Sequence, residues 1–390
     1  MLDIKIKSDC CGCSACIQIC PKQCISMNED NEGFLYPEIE KDICINCGLC
    51  EKVCPELYPG IMRKPLKVFA IKNKDEVIRK KSSSGGIFTV LAETVIREGG
   101  VVFGAKFNEN WEVVHDYTVT KDGLAAFRGS KYVQSRMGDC FSKAKSFLDQ
   151  GKKVLFSGTP CQIAGLKRFL RKEYNNLLTV DFICHGVPSP KVWRMYLDET
   201  VVRQCEKKAF IEEVLFRDKR LGWKKFSVSL LFSTTIGNGS KNSVLVSEPF
   251  TENLFMRGFL YDVYLRPSCY QCPTKCLRSG SEVMIGDLWG MNEILPQLDD
   301  DKGYSVLMLN NTDKLFPFIL QDVEYSELNY NDVFRYNPSI EISSKPHPNR
   351  SYFFEHFDNG QSLYVIINRT LRKGRYMRFV KRLVRKIIHL

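Results

Sequence analysis

The sequence predicts a small α+β domain at the N-terminus followed by a larger α/β body with antiparallel additions. Three observations predict it. One cysteine spacing occurs twice within the first 55 residues. Strand-like and helix-like segments then alternate from Lys67 to Arg203, which implies right-handed crossovers and a mostly parallel sheet covered on both faces. Beyond that, segments between Val214 and Val246 read as strands with no helix between them, the last two joined at Gly237-Asn238-Gly239, as in an antiparallel piece.

The first domain follows from its thiols. Cys10, Cys13, Cys16 and Cys20 are followed by Pro21, and Cys44, Cys47, Cys50 and Cys54 by Pro55. This doubled C-x2-C-x2-C-x3-C-P run is the signature of a bacterial-ferredoxin-like module holding two 4Fe-4S clusters, in which the fourth cysteine of each run ligates the other cluster. Three cysteines wrapped round one turn reach three irons, and a remote thiolate takes the fourth. One ligand set is therefore Cys10, Cys13, Cys16 and Cys54, the other Cys44, Cys47, Cys50 and Cys20. Structural zinc is the competing reading, but the doubled run with both prolines supplies two sets in the ferredoxin arrangement.

Tyr58-Pro59-Gly60 and Pro65 read as a linker, giving a first domain of residues 1–62. The body, 63–345, opens with a strand at Val68–Ile71. Ser82 to Gly86 then precede a helix at Ile87–Arg97, where serines can cap free N–H groups and glycines allow close approach to the backbone. A strand follows at Val101–Phe107. Lys153–Ser157 and Leu177–Cys184 read as strands, Gln162–Leu170 and Lys191–Arg203 as helices. Val214–Arg217, Phe226–Ser233 and Ser243–Val246 read as strands, Asn253–Tyr264 as a helix and Ser305–Leu309 as one more strand.

Residues 346–390 form a basic tail. From Thr370 to Leu390 it carries eight Lys or Arg and no acid, with Leu371, Met377, Val380, Leu383, Val384, Ile387 and Ile388 near one helical face. Such a helix can lie on an anionic membrane as a peripheral contact; the blander expectation is that it packs on its own protein.

Charge is unevenly placed. Residues 1–60 hold five Lys, no Arg and ten acids, a net of −5, which leaves 51 basic against 35 acidic residues, +16, in the remainder. An acidic electron module beside a basic body suits docking between redox partners, or both are simply solvated surfaces. Nucleic-acid binding is disfavoured, because the positive excess is spread out and no recognition motif accompanies it. Seventeen cysteines without a secretory h-region point to a reducing, cytoplasmic setting.

A second set of thiols lies in the body. Cys161 follows Ser157-Gly158-Thr159-Pro160, Cys184 follows Asp181-Phe182-Ile183, and Cys269, Cys272 and Cys276 form a C-x2-C-x3-C run ahead of Gly286-Asp287-Leu288-Trp289-Gly290. Cys161 and Cys184 fall at strand ends, where open α/β sheets bind ligands. By spacing, these five thiols can hold a third 4Fe-4S cluster with one to spare; zinc on the Cys269 loop is the alternative. His185 beside Cys184 does not make a thiol–base pair, because neighbours in a strand face opposite ways. Cys11, Cys24, Cys140 and Cys205 fit no ligand pattern and read as ordinary thiols.

In this order, the ferredoxin run, Ser84-Gly85-Gly86, Gly129-Ser130-Lys131-Tyr132-Val133-Gln134-Ser135, Gly158-Thr159-Pro160-Cys161-Gln162, Cys184-His185-Gly186 and Cys269-x2-Cys272…Gly286-Asp287-Leu288-Trp289-Gly290 resemble the family of coenzyme F420 hydrogenase/dehydrogenase beta subunits. The resemblance spans roughly residues 1–345. It implies an iron–sulfur flavoprotein oxidoreductase with Cys161, Cys184, Cys269 and Cys272 on the proximal cluster and Cys276 left over. It also implies FAD along Ser84, Gly85, Gly86, Gly129, Ser130, Lys131, Tyr132, Gln134 and Ser135, with Gly158 and Thr159 beside it.

The chemistry agrees, since one-electron centres need a flavin to gather two electrons for a hydride, and a glycine turn at a helix N-terminus suits a pyrophosphate. Against it, G-x-G-x-x-G is absent, Gly85-Gly86 can be only a close-packed turn, and Lys131 can be a solvated lysine. The expected activity is electron passage between the ferredoxin clusters, a proximal cluster and FAD, with hydride exchange to a small molecule, coenzyme F420-like or other. The alternative is an electron-transfer subunit that passes electrons to a partner enzyme. The expected partner is a redox protein or a small hydride carrier, and a homo-oligomer is compatible with the sequence. No catalytic acid, base or nucleophile stands out.

Overall fold

The computed structural model describes residues 4–204, 209–235, 241–310 and 320–372. In the N-terminal module two short helices, α1 (Ala15–Ile19) and α2 (Leu49–Lys52), each follow a cysteine loop. An antiparallel hairpin, β1 (Ile25–Glu29) and β2 (Leu35–Ile39), pairs Ile25 with Ile39. The module buries few apolar side chains, among them Ala15, Ile25, Phe34 and Val53.

In the body the strands run β3 (Lys67–Asn73), β4 (Val101–Phe107), β5 (Val113–Thr118), β6 (Val154–Ser157), β7 (Leu177–Phe182), β8 (Ala209–Asp218), β9 (Ser227–Thr235), β10 (Lys241–Pro249), β11 (Val283–Asp287), β12 (Ser305–Leu309) and β13 (Val323–Glu327). Eight of them form one sheet in the order β13-β3-β12-β11-β7-β6-β4-β5. Its centre, β4-β6-β7-β11, is parallel, and its flanks are antiparallel. Strands β8, β9 and β10 make a separate antiparallel sheet. The α/β class with antiparallel additions is thus the observed one.

Alternation along the central strands explains the layers. Val102 and Leu155 face helix α4 (Ile87–Arg97), which follows the short helix α3 (Glu76–Lys81), among Val90, Leu91 and Val95. Val101, Phe103, Val154 and Phe156 face the opposite way, onto α5 (Cys140–Asp149) and α6 (Pro160–Leu170), the two-sided burial a parallel sheet requires. Thr159 and Gln162 form a reciprocal capping box at the start of α6, which fixes where Cys161 emerges.

Three strands go beyond the sequence expectation. β5 and β13 are edge strands with mixed polar residues, and β11 is five residues long and contains Gly286. The predicted helix Asn253–Tyr264 closes early, at Leu260, because Asp262 takes a left-handed backbone conformation, φ 58°. The expected turn at Gly237-Asn238-Gly239 lies outside the described residues.

The chain beyond residue 345 does not hang free where it is described. The helix Leu363–Arg372 buries Leu363, Ile366, Ile367 and Leu371 against Phe353, Phe357 and the side chains of Trp193, Tyr196 and Leu197 from helix α7 (Pro190–Gln204). Asn349 donates from Nδ2 to the Thr370 carbonyl, 2.9 Å. The expected tail boundary at 346 therefore cuts through a packed core. Met377 to Ile388 of the predicted amphipathic face lie outside the described residues. Truncation after Asn368 removes buried Leu371, so we expect a loss of about 2–5 kcal/mol, the cost of emptying one such site, read as a lower urea midpoint. A truncated protein with an unchanged midpoint would place that side chain outside the core. Among the described residues no helix is long and apolar enough to cross a membrane.

Candidate functional site

Three groups of thiols gather in space. Within the module, Cys10, Cys13, Cys16 and Cys54 lie within electrostatic reach of one another. The Cys16 thiol is pushed up to about 12, first by burial and then by repulsion from Cys10 and Cys54; Cys13 feels Cys16 and Cys54, and Cys54 feels Cys10. The second group, Cys20, Cys44, Cys47 and Cys50, lines one cavity. Burial opposes ionisation of Cys20, but N–H groups of Cys24, Lys22 and Gln23 hold its thiol below the ordinary value. The fourth cysteine of each run thus sits with the other run's first three. Cys24, an ordinary thiol by spacing, lines the same cavity with its sulfur 3.5 Å from that of Cys20.

The third group is at the carboxyl ends of the parallel strands. Cys161 leaves β6 in the first turn of α6, Cys184 stands two residues past β7, and Cys269 and Cys272 come from the loop before β11. All four line one cavity, together with Cys11 and Glu56 of the module. The Val187 N–H donates to Cys269 Sγ at 3.4 Å, and the hydroxyls of Thr159 and Thr274 lie 3.1 Å from the sulfurs of Cys161 and Cys272. Lys275 Nζ holds the Cys184 carbonyl at 2.6 Å. Cys276 is not in the lining; its sulfur faces the Glu341 carbonyl at 3.9 Å. His185 is in the lining, tied to Asp262 at 2.7 Å.

These sites fit iron–sulfur ligation by an observation of charge. Buried thiols crowd together and repel one another as thiolates: Cys184 is pushed up to about 12 by burial, with Cys161 and Cys272 adding to it. Only a bound cationic centre makes so many thiolates compatible. Among the described residues no three or more His, Cys, Asp or Glu converge as a single ion requires; the thiols ring a space instead.

A cationic group adjoins the third thiol site. Arg217, at the end of β8, is buried; it donates from Nη1 to Asp287 at 2.9 Å and to the Tyr132 hydroxyl at 3.2 Å, and from Nη2 to the Ser83 carbonyl at 3.3 Å. Its Nε is buried with no partner among the described residues. Lys219 Nζ donates to the carbonyls of Ser84, Lys302 and Arg79 at 2.7–2.9 Å, and Lys131 Nζ to those of Gly129 and Arg128 at 3.2–3.3 Å. Burial draws both lysines down to about 7, and among the described residues neither forms an ion pair. Ser130 N–H and hydroxyl both reach Ser83 Oγ. Phe259 connects the two sites, touching Tyr132 at 5.0 Å and His185 at 5.3 Å between ring centres.

Other predicted lining groups have different partners. Gly85 gives its N–H to Ser305 Oγ at 3.0 Å, and a β-carbon there would stand 2.4 Å from the Ile71 carbonyl; the close-packed turn is what the structure contains. Ser84 donates to the Tyr304 carbonyl, and Gly86 caps α4. Gln134 donates to the Cys11 carbonyl at 3.0 Å, tying body to module. Ser135 bonds His115 and Gln162, Thr159 caps α6, and Gly158 lies against Gln162.

Sequence reasoning missed Arg266. It is fully buried between module and body, donating to the carbonyls of Cys10 (2.7 Å) and Leu35 (2.9 Å), to Gln134 Oε1 (3.0 Å) and to Cys10 Sγ (3.5 Å). Its guanidinium stacks over Tyr36, 4.3 Å from the ring centre. Glu29 pairs with Arg194, and Glu32 with Arg350, so part of the charge asymmetry read from the sequence is satisfied within the chain.

Comparison with known proteins matches residues 68–141 to the N-terminal and 151–321 to the C-terminal part of the coenzyme F420 hydrogenase/dehydrogenase beta subunit, together more than half of the chain, and residues 9–57 to a 4Fe-4S dicluster domain. One of the subunits of the F(420)H(2) dehydrogenase of Methanosarcina mazei is 25% identical over 190 residues, 45% of this chain and 53% of that protein. A ferredoxin 7Fe of Hydrogenibacillus schlegelii is 35% identical over 65 residues, 16% of this chain and 77% of that one. A chain of the F420-reducing [NiFe] hydrogenase complex from Methanosarcina barkeri aligns over 78% of this chain and 98% of its own, at 16% identity and a TM-score of 0.46. The chain spans about half the length of the longer curated relatives it matches.

Proposed function

This chain belongs to the family of coenzyme F420 hydrogenase/dehydrogenase beta subunits, which are oxidoreductases, and carries a 4Fe-4S dicluster domain, and from that premise we propose that it is an iron–sulfur flavoprotein serving electron transfer between a redox partner and a small hydride carrier. One observation carries the reading: the four body thiols line a cavity whose remaining wall includes Cys11 and Glu56 of the module. Cys10, Cys13, Cys16 and Cys54 would hold the inner module cluster, Cys44, Cys47, Cys50 and Cys20 the outer one, and Cys161, Cys184, Cys269 and Cys272 the proximal one. Bound FAD would supply the exchange between single electrons and a hydride.

The residues around Arg217 do the binding work in this reading. Buried Arg217 and largely buried Lys219 share Asp287 and leave an excess of positive charge, Lys131 adds a cation on the segment whose Tyr132 hydroxyl meets Arg217, and the unpartnered Arg217 Nε supplies a donor. That set suits the pyrophosphate of a dinucleotide, with Ser83 and Ser130 ordering the turn beneath it. Trp223 and Trp289, stacked at 4.4 Å, close the apolar side.

The expected result is that released cofactor is FAD and that Arg217→Met weakens its retention by about ten- to a hundredfold, the worth of a charge-assisted hydrogen bond. Uptake by flavin-free protein should weaken as pH rises from about 6 to about 8.5, a window set around the lysines' titration. Lys131 and Lys219 carry their protons below about 7 and lose them above it, so the anion meets less charge; the double Lys→Met variant should flatten that profile. Protein with full clusters that takes up no FAD would overturn the flavin assignment and favour an electron-transfer subunit that passes electrons to a partner enzyme.

A further inference from the structure

His115 is a buried histidine on β5 whose ring lies flat against Phe156, 5.8 Å between ring centres. Its Nε2 is 3.0 Å from the Ser157 carbonyl at the end of β6, and its Nδ1 is 2.9 Å from Ser135 Oγ. Gln162 reaches the same hydroxyl from its Nε2 at 2.9 Å, while its Oε1 accepts the Thr159 N–H at 2.9 Å. Gly158 leaves the space in which these groups close up, since a β-carbon there would stand 3.1 Å from Gln162 Oε1 and 3.5 Å from His115 Nε2. The main chain adds a further tie, from the His115 N–H to the Arg136 carbonyl at 2.8 Å.

The partners fix where each proton sits. A carbonyl only accepts, so His115 carries its proton on Nε2. Burial keeps the ring neutral by drawing its titration down to about 4, and in the neutral ring Nδ1 is then the acceptor. Ser135 therefore donates to His115 and accepts from Gln162, whose amide oxygen is left for Thr159. Thr159 Oγ1 accepts the Gln162 N–H at 3.4 Å and lies 3.1 Å from the Cys161 sulfur. A sulfur that holds iron has no proton, so at that contact the hydroxyl donates. We infer that His115 is a positioning residue for the proximal cluster: through Ser135 and Gln162 it orients the first turn of α6 so that Thr159 donates its hydroxyl to the Cys161 sulfur, which raises the reduction potential of the centre that Cys161 helps to hold.

A hydrogen bond to a cluster sulfur stabilises the more negative, reduced state. No proton and no electron passes along these bonds; each one sets the direction of the next. This inference rests on the iron–sulfur reading above.

The test uses the full chain, reconstituted anaerobically with iron and sulfide. His115→Phe keeps a ring against Phe156 and removes both nitrogens, whereas His115→Asn keeps an acceptor for Ser135. Ser135→Ala breaks the chain one link further on and carries the same test should phenylalanine disturb the packing. Thr159→Val removes the last donor, alone and combined with His115→Phe. Iron and zinc are counted, and each cluster is titrated by electron paramagnetic resonance, the proximal signal being the one lost in Cys184→Ser.

The expected result is unchanged iron in all forms. In Thr159→Val the reduced-to-oxidised ratio of the proximal cluster at a fixed potential should fall about fivefold, the effect of one net hydrogen bond. His115→Phe and Ser135→Ala should each lower it about two- to fivefold, His115→Asn should return most of the loss, and the double variant should fall no further than Thr159→Val alone. Unchanged titrations in His115→Phe and Ser135→Ala would overturn the inference. So would a double variant in which the two losses add, because His115 would then act by a route other than Thr159. Loss of about four irons from both His115→Phe and Ser135→Ala would make the network a support for the site as a whole and overturn it too. A parent holding zinc, or fewer than about twelve irons, would instead fail the underlying reading.

Discussion

Anaerobically reconstituted protein should bind about twelve irons, and Cys161→Ser, Cys184→Ser, Cys269→Ser or Cys272→Ser should each lower that to about eight, one four-iron cluster less. Cys276→Ser should leave the count alone. The contrast within one C-x2-C-x3-C run makes the experiment sharp. Cys269 and Cys272 line the cavity with Cys161 and Cys184, whereas Cys276 is turned away toward the Glu341 carbonyl in a left-handed backbone conformation, φ 58°. A serine can replace a cysteine's volume but is a poor ligand for iron, so the loss should show as missing metal and missing visible absorption rather than as unfolding. If Cys276→Ser removes the iron and Cys272→Ser does not, the loop has been assigned to the wrong thiol. If the parent already holds about eight, the body carries no cluster.

The second large effect concerns Arg266. Arg266→Leu should leave Gln134, the Cys10 carbonyl and the Leu35 carbonyl buried with one donor fewer each. Each such orphaned group costs about 1–3 kcal/mol, so the junction loses several kcal/mol in total. Limited proteolysis should then cut between Tyr58 and Pro65, releasing the module from a body that still folds. Gln134→Ala removes one link and should do the same more weakly. Arg266→Lys should not rescue, because an ammonium cannot serve three separated acceptors with a planar fork. A protease pattern identical to the parent's would mean that the Arg350–Glu32 and Arg194–Glu29 pairs hold the junction by themselves.

How much of this is legible in the sequence depends on how far apart the cooperating residues lie. The ferredoxin thiols read clearly because each run is local and the exchange of fourth ligands is a rule of reach. The strand ends carrying Cys161 and Cys184 read clearly because β6 opens on three apolar residues and β7 is mostly apolar, with Leu177, Leu178, Val180 and Phe182. β11, which delivers Asp287, does not; it is short and pairs parallel with β7 only in the folded sheet. Arg217 and Arg266 are invisible for the same reason, since their partners lie 70 and 256 positions away. Gln134 reads with its neighbours Ser130 to Ser135 as one lining, but successive residues of that extended segment face different ways, and Gln134 faces the module. Cys11 and Cys24 escape a reading by spacing, because spacing separates ligands from other thiols and says nothing of neighbours in space.

The two glycines at the module's contact face have a consequence for what can be exchanged. A β-carbon on Gly12 would stand 2.8 Å from Arg266 Nη1 and Gln134 Nε2, and one on Gly33 would stand 2.2 Å from the Lys191 β-carbon; their φ angles are +71° and +86°. The module is therefore keyed to its seat rather than tethered beside it. A foreign two-cluster domain spliced onto residue 63 would have the right metal chemistry and still sit proud of the body unless it brought glycine at both places. Its centres would then be held farther from Cys161 by the thickness of the clash, and such a chimera would carry a full complement of iron in which the two halves exchange electrons slowly.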